Sequence, residues 1–237
     1  MKNILIVLSV TFLLSATCCK KKVVPINTFT VTLDMRPSKN NGSNIPVETD
    51  TSKKIFLNLS KGKAYNINQA KLNPGEIDIV IYDGTTSTSS VGDVHFLSPG
   101  GGTLSLNVLP AAYKYLEPGT ANTGVNYFSL TEMNTWAIYN TSKIRDGNSL
   151  NGFSTGTFEA MDNLDEFNDA LAIARTPGTD NSNQAKKLIT TSNNSLTSNL
   201  WFFEYQSAGG TKQAFAKVDD FRFLPDGYIT LTVKTPQ

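Results

Sequence analysis

A period-two alternation of polar and apolar residues, repeated in short runs down the chain, constrains this sequence more than any other feature. In Thr28-Phe29-Thr30-Val31-Thr32-Leu33 every second side chain is apolar. That pattern suits a strand with one buried and one wet face, and a helix of 3.6 residues per turn cannot gather it into one stripe. The same signature covers 55–59, 77–81, 103–108, 136–139, 200–205, 214–218 and 228–233. Turn formers stand between the runs: Lys61-Gly62, Asp83-Gly84, Gly100-Gly101-Gly102, Asp146-Gly147, Gly209-Gly210 and Asp226-Gly227. Glycine allows positive φ there, and aspartate can hydrogen-bond its own backbone.

The last third is the clearest local unit. Leu200 to Gln206, the turn Ser207-Ala208-Gly209-Gly210 and Gln213 to Val218 predict a hairpin. Pro225-Asp226-Gly227 then returns the chain into a final strand, completing a three-stranded antiparallel meander. Helical spacing is confined to one region. Asp162 is placed to cap a helix in which Leu164, Phe167, Ala170, Leu171 and Ala174 share a face. Asp165, Glu166 and Asp169 favour its N-terminal half through the helix dipole. A shorter helical piece over 184–189 is expected after the Pro177-Gly178 break. The fold expected is mainly β: an antiparallel, sandwich-like single domain with one or two short helices near 162–190 and the C-terminal meander.

The N-terminus carries an address. Lys2, the apolar run Ile4 to Leu14 and the small residues Ser15-Ala16-Thr17 before Cys18 read as an export signal over residues 1–17. The apolar run is too short to cross about 30 Å of hydrocarbon. A cysteine at the cleavage point resembles the lipobox of bacterial lipoproteins, in which the sulfur receives a diacylglyceryl group and the cysteine becomes the mature N-terminus. Cys18 is the expected lipidation site and Cys19 the alternative, with an ordinary cleaved secretory signal left open. Residues 18–27 then form a lipidated tether and 28–237 the domain. Lys20-Lys21-Lys22 lies beside the anchor, against headgroups. The absence of Asp after the acylated cysteine resembles the outer-membrane sorting class. The lysines depart from the acidic residues on which surface export looks to depend, so the periplasmic face of the outer membrane is expected.

Both cysteines sit at this junction, so the mature domain has neither a disulfide framework nor a thiolate metal site. Lys and Arg number 21 against 20 Asp and Glu, and so balanced a charge argues against nucleic acid as a partner. Gly152-Phe153-Ser154-Thr155-Gly156 matches the G-x-S-x-G nucleophile elbow in letters only. An elbow needs a strand before the serine, a helix after it and a histidine downstream. Here a polar loop precedes it, Thr157-Phe158-Glu159 reads as extended, and the sole histidine lies upstream. The carboxylates lack calcium-loop spacing, and consecutive Asp219 and Asp220 on a strand are expected to point to opposite faces. No catalytic residue and no metal site is assigned. His95 remains, read either as a half-buried strand histidine or as a ligand to haem iron.

Several segments together resemble a known family. They are the lipobox-like start, Thr30-Val31-Thr32-Leu33-Asp34, Phe56-Leu57-Asn58-Leu59-Ser60-Lys61-Gly62-Lys63, Glu76-Ile77-Asp78-Ile79-Val80-Ile81, and the closing Ala216-Lys217-Val218 and Tyr228 to Val233. They resemble the HmuY-like lipoproteins of Bacteroidota, mainly β proteins that capture haem at the outer membrane. Ile77 stands where that family has tryptophan before the aspartate, and residues 113–194 do not align. The resemblance implies haem as the first cofactor to test and His95 as its ligand. Met35, Met133 and Met161 are the chemically possible second ligands, since no second histidine exists.

Two functional classes follow. The leading one is a non-enzymatic, lipid-anchored envelope protein that binds a small planar ligand, haem first, with aromatics such as Trp201-Phe202-Phe203 able to line a pocket. The alternative is a structural or adhesion-like accessory lipoprotein that works through a surface for another envelope protein.

Overall fold

The computed structural model describes residues 22–35, 47–48, 52–84, 93–99, 114–116, 126–128, 136, 142–175, 185–190, 195–207, 209–222 and 227–237. Two antiparallel sheets built from the alternating runs face each other. The first has the order β1 (Ile26–Asp34), β14 (Tyr228–Pro236), β13 (Gly210–Arg222), β12 (Leu200–Ser207), β9 (Ser142–Asp146). The second has the order β11 (Ser195–Leu196), β10 (Ala185–Thr190), β6 (Asp93–Leu97), β5 (Ile79–Gly84), β3 (Phe56–Asn58), β4 (Lys63–Tyr65). A third, small sheet joins β2 (Val47–Glu48), β7 (Lys114–Leu116) and β8 (Asn126–Phe128). The architecture is mainly β, as the alternation predicts.

Alternation decides which side chains enter the space between the two large sheets. Val31, Leu33, Trp201, Phe203, Leu231 and Val233 meet Leu57, Ile79, Ile81, Val94 and Phe96 there. The ring of Phe96 stands edge-on to Trp201 and Phe203, with centroids 5.0 and 5.5 Å away. Each large apolar side chain withdrawn from water contributes about 1.5–3 kcal/mol, which is how a domain without disulfides is held together. The intervening residues face outward into two further clusters. Phe202 and Phe215 pack under α2 (Thr155–Glu159) and α3 (Leu164–Ala174), which supply Phe158, Phe167, Ala170 and Ala174. Phe56, Val80 and Leu97 pack with Trp136 and with Ile67 and Ala70 of α1 (Ile67–Leu72).

The meander is present as β12, β13 and β14, and β1 pairs along its whole length with β14, from Ile26 opposite Pro236 to Asp34 opposite Tyr228. The strand thus starts at Ile26, so the last two residues assigned to the tether belong to the sheet. The chain is held even earlier, because Leu164 N–H donates to the Val24 carbonyl at 2.8 Å.

Several expectations are corrected. The helix expected over 184–189 is the strand β10, whose Lys186 and Lys187 lie opposite Phe96 and His95 while Leu188 and Ile189 are buried. Pairing to β6 outweighs the local helical spacing. The cap of α3 is Asn163 rather than Asp162: its side chain accepts from the N–H groups of Asp165 and Glu166, and Glu166 closes the capping box. Asp83-Gly84 ends β5 opposite Val94 and Asp93 instead of turning. Helices α1 and α2 were not expected; each is a single short turn or two with a capping Asn66 or Ser154. The run 103–108, residues 137–139, Gly100-Gly101-Gly102, Cys18 and Cys19 lie outside the described residues.

Candidate functional site

His95 occupies the middle of β6, directly across from Tyr82 on β5 and Lys187 on β10. The alternation that sends Val94 and Phe96 into the core turns His95 to the outer face of the six-stranded sheet, where it is half-buried. Leu97, two residues on, shares that face and belongs to the cluster of Phe56, Val80 and Trp136. The rings of Phe56 and Trp136 lie 6.1 Å apart at 48°. That cluster is itself buried, with Phe56, Val80, Leu97 and Trp136 each 5% exposed or less.

The methionines do not join it. Met35 is buried between the sheets and Met161 is buried beneath the helices on the far side of the five-stranded sheet. Each is separated from the His95 face by at least one sheet, so neither serves as a second axial ligand. Met133 lies outside the described residues. Trp201 and Phe203 are core and Phe202 is covered by helices, so this aromatic strand lines no open groove.

Ser154 is the N-cap of α2, its Oγ accepting from Thr157 N–H at 3.2 Å. The residues after it are therefore helical and not extended as expected. Residues 150–153 before it are turn and coil, so the strand of an elbow is missing. Asp219 and Asp220 also differ from expectation. A register shift between Val218 and Asp220 inserts one residue into β13. Asp219 accepts from Thr232 Oγ1 at 2.6 Å and Asp220 from the Tyr228 hydroxyl at 2.7 Å. Thr232 and Tyr228 share the outer face of β14, so the bulge brings both carboxylates to one side. Both are occupied by these neighbours. Among the described residues no group of three or more His, Cys, Asp or Glu could hold a metal ion.

A buried polar network was missed by the pattern reading. Asp78, 3% exposed, accepts Leu59 N–H at 2.8 Å, and its carbonyl accepts from Ser142 Oγ at 2.7 Å. Burial pushes its carboxyl up to about 7, opposed by the Leu59 N–H and Lys212. Tyr205 is fully buried, with its hydroxyl 2.9 Å from Ser60 Oγ, and burial pushes that phenol up too. Strict alternation over 77–81 sends Asp78 outward; β5 begins only at Ile79, and the Asp78 carboxylate accepts instead from Leu59 N–H at the start of the β3–β4 turn.

No family model matches this chain, and no curated protein matches it. Among solved structures, a DUF4466 family protein from Parabacteroides merdae is similar, with a TM-score of 0.40 and 13% identity. The match covers 89% of this chain and 54% of that one, so the chain spans about half of that protein's length.

Proposed function

We propose that this is a lipid-anchored envelope protein of the outer membrane, on its periplasmic face, that binds a small planar ligand without catalysis. Haem is the first ligand to test. The observation that supports this most is the position of His95, half-buried on an outer sheet face beside the Leu97, Val80, Phe56 and Trp136 cluster. With Met35 and Met161 buried elsewhere, the iron is held by one imidazole, with water or Met133 opposite. Affinity is therefore modest beside a site with two histidines. Titrating wild type and His95→Ala with haemin, while following the Soret band, tests the reading. A shifted band in wild type that is lost in the variant is expected, and identical changes in both proteins mean adsorption and defeat it.

The accessory reading is supported by a different face. On the outer side of β1, β14 and β13, Thr32 and Thr230 hydroxyls lie 3.0 Å apart beside the Asp219 and Asp220 pairs. This ordered polar surface suits a protein partner. Cross-linking in envelopes through that face, without any haem response, would favour it.

A further inference from the structure

The strand β1 lies at the edge of the five-stranded sheet, so one of its sides has no strand partner among the described residues. Its register with β14 runs without a shift, and Met35 N–H continues it by donating to the Gly227 carbonyl at 2.8 Å. Odd-numbered residues therefore bond to β14, and the N–H and carbonyl groups of even-numbered ones point out from the edge. The chain itself uses that edge at both ends. At one, Leu164 N–H donates to the Val24 carbonyl at 2.8 Å and Pro25 bridges to Asn163. At the other, Asp34 N–H donates to the Lys54 carbonyl at 2.9 Å and Lys54 N–H to Asp34 Oδ2 at 2.7 Å. Between these clamps the outward backbone groups of Thr28, Thr30 and Thr32 meet no partner among the described residues.

The open stretch fixes the kind of occupant. Three N–H and three carbonyl groups alternate along about 14 Å, a spacing that another extended backbone matches. The lysines, prolines and bulges that guard natural edges are missing from Ile26 to Asp34. A second copy does not fit. Its nine-residue β1, laid over this one, would run into residues 162–164 or Lys54, which hold the places beyond the gap. The occupant is thus a short segment. Its outward side chains lie beside exposed Thr28, Thr30 and Thr32, where β1 carries no charge to pair with. The neighbouring strand shows the match, with Thr32 and Thr230 hydroxyls 3.0 Å apart. Its inward side chains lie beside half-buried Phe29 and are apolar. We propose that β1 takes up, as a sixth strand, an extended uncharged segment of about five residues from another protein, alternating threonine-like and apolar side chains. The site does not depend on the haem reading, since His95 lies on the other sheet.

Amide hydrogen exchange followed by NMR on the full-length protein decides it. In the free protein the Thr28, Thr30 and Thr32 amides should exchange at least about tenfold faster than those of Phe29, Val31 and Leu33. The probe is the blocked pentapeptide acetyl-Thr-Val-Thr-Val-Thr-amide at about 5 mM, matched to the millimolar affinity that a few net hydrogen bonds supply. It should slow the three open amides at least about threefold, and the same peptide N-methylated at its threonines, which cannot donate to the edge, should not. Thr30→Pro removes one outward N–H without touching the bonds to β14, and should weaken the peptide about fivefold. The methylated peptide carries the test if that variant folds poorly. His95→Ala should leave the response unchanged. Slow exchange of the three amides in the free protein overturns the assignment: constant with protein concentration, it means that the chain covers its own edge, and rising with concentration, that a second copy does. No slowing by the probe, or equal slowing by both peptides, overturns it as well.

Discussion

The ammonium of Lys234 lies 2.7 Å from the carbonyl oxygen of Met161, inside the cluster where the helices cover the meander. The same Nζ donates to the carbonyls of Phe158 and Glu159 at 3.0 and 3.2 Å, and stands 5.1 Å from the Phe158 ring centroid. These carbonyls lie at and just beyond the end of α2, where helical donors run out, and the Phe158 carbonyl also accepts from Met161 N–H at 3.3 Å. A strand lysine therefore caps the helix that packs on it, and one side chain joins the two layers.

Replacing Lys234 by Met keeps the length of the side chain and removes its donors. The buried carbonyls of Phe158 and Met161 and the part-buried one of Glu159 then lose the ammonium, and a loss of about 3 kcal/mol is expected. Urea denaturation should show a lower midpoint with an unchanged slope. A loss below about 0.5 kcal/mol would mean that water replaces the ammonium.

Asp78 predicts a pH dependence. Its carboxyl is raised by burial to about 7, so the folded state holds the proton more tightly than the unfolded chain. Below about pH 4 both states are protonated and the group costs nothing; the cost grows as pH rises toward 7 and is constant above. Wild type should therefore lose stability relative to Asp78→Asn across that window. Thermal midpoints of both proteins at pH 4 and pH 8 measure it, and parallel curves would refute a buried, proton-holding Asp78.

Gly62 turns the chain between β3 and β4 at φ +56°, and a Cβ there would stand 2.2 Å from Phe29 Cβ on β1. Gly62→Ala should cost more than about 2 kcal/mol, through backbone strain of about 1 kcal/mol or more plus the clash. Adding Phe29→Gly, which removes the Cβ and ring that are met, should recover the steric part and leave the strain. A double-mutant cycle by denaturation checks this, since additive losses would mean that the two residues do not touch.

Cys18→Ala should abolish incorporation of an alkyne-bearing fatty acid and release the protein from membranes or stall its precursor, whereas Cys19→Ala should retain label. Two acyl signals give stable attachment, so a singly acylated product should wash off. Label kept in the Cys18 variant and lost in the Cys19 variant would move the site by one residue.

Local pattern sufficed for the strands whose neighbours in sequence are also neighbours in space. β12, β13 and β14 follow one another through short turns, so alternation and glycine placement were enough to pair them. It sufficed as well for the buried face of α3, because 3.6-residue spacing puts Phe167, Ala170 and Ala174 together whatever they pack against. The chemistry that composition removes, thiolate sites and histidine clusters, was likewise legible without a fold.

Long-range pairing decided the rest. Ala185 to Thr190 becomes a strand because β6 offers its edge, a partner 88 to 95 positions earlier that no local window contains. The bulge that gathers Asp219 and Asp220 on one face breaks the period that separates them in an ideal strand. Burial of Asp78 depends on Leu59 from the β3–β4 turn and Ser142 from β9 arriving beside it. His95 was visible as the only imidazole, yet its face, its aromatic neighbours and its distance from Met35 and Met161 follow from how the two sheets stack. Side-chain alternation is a property of one strand; which face meets a core, a helix or solvent is a property of the layers around it.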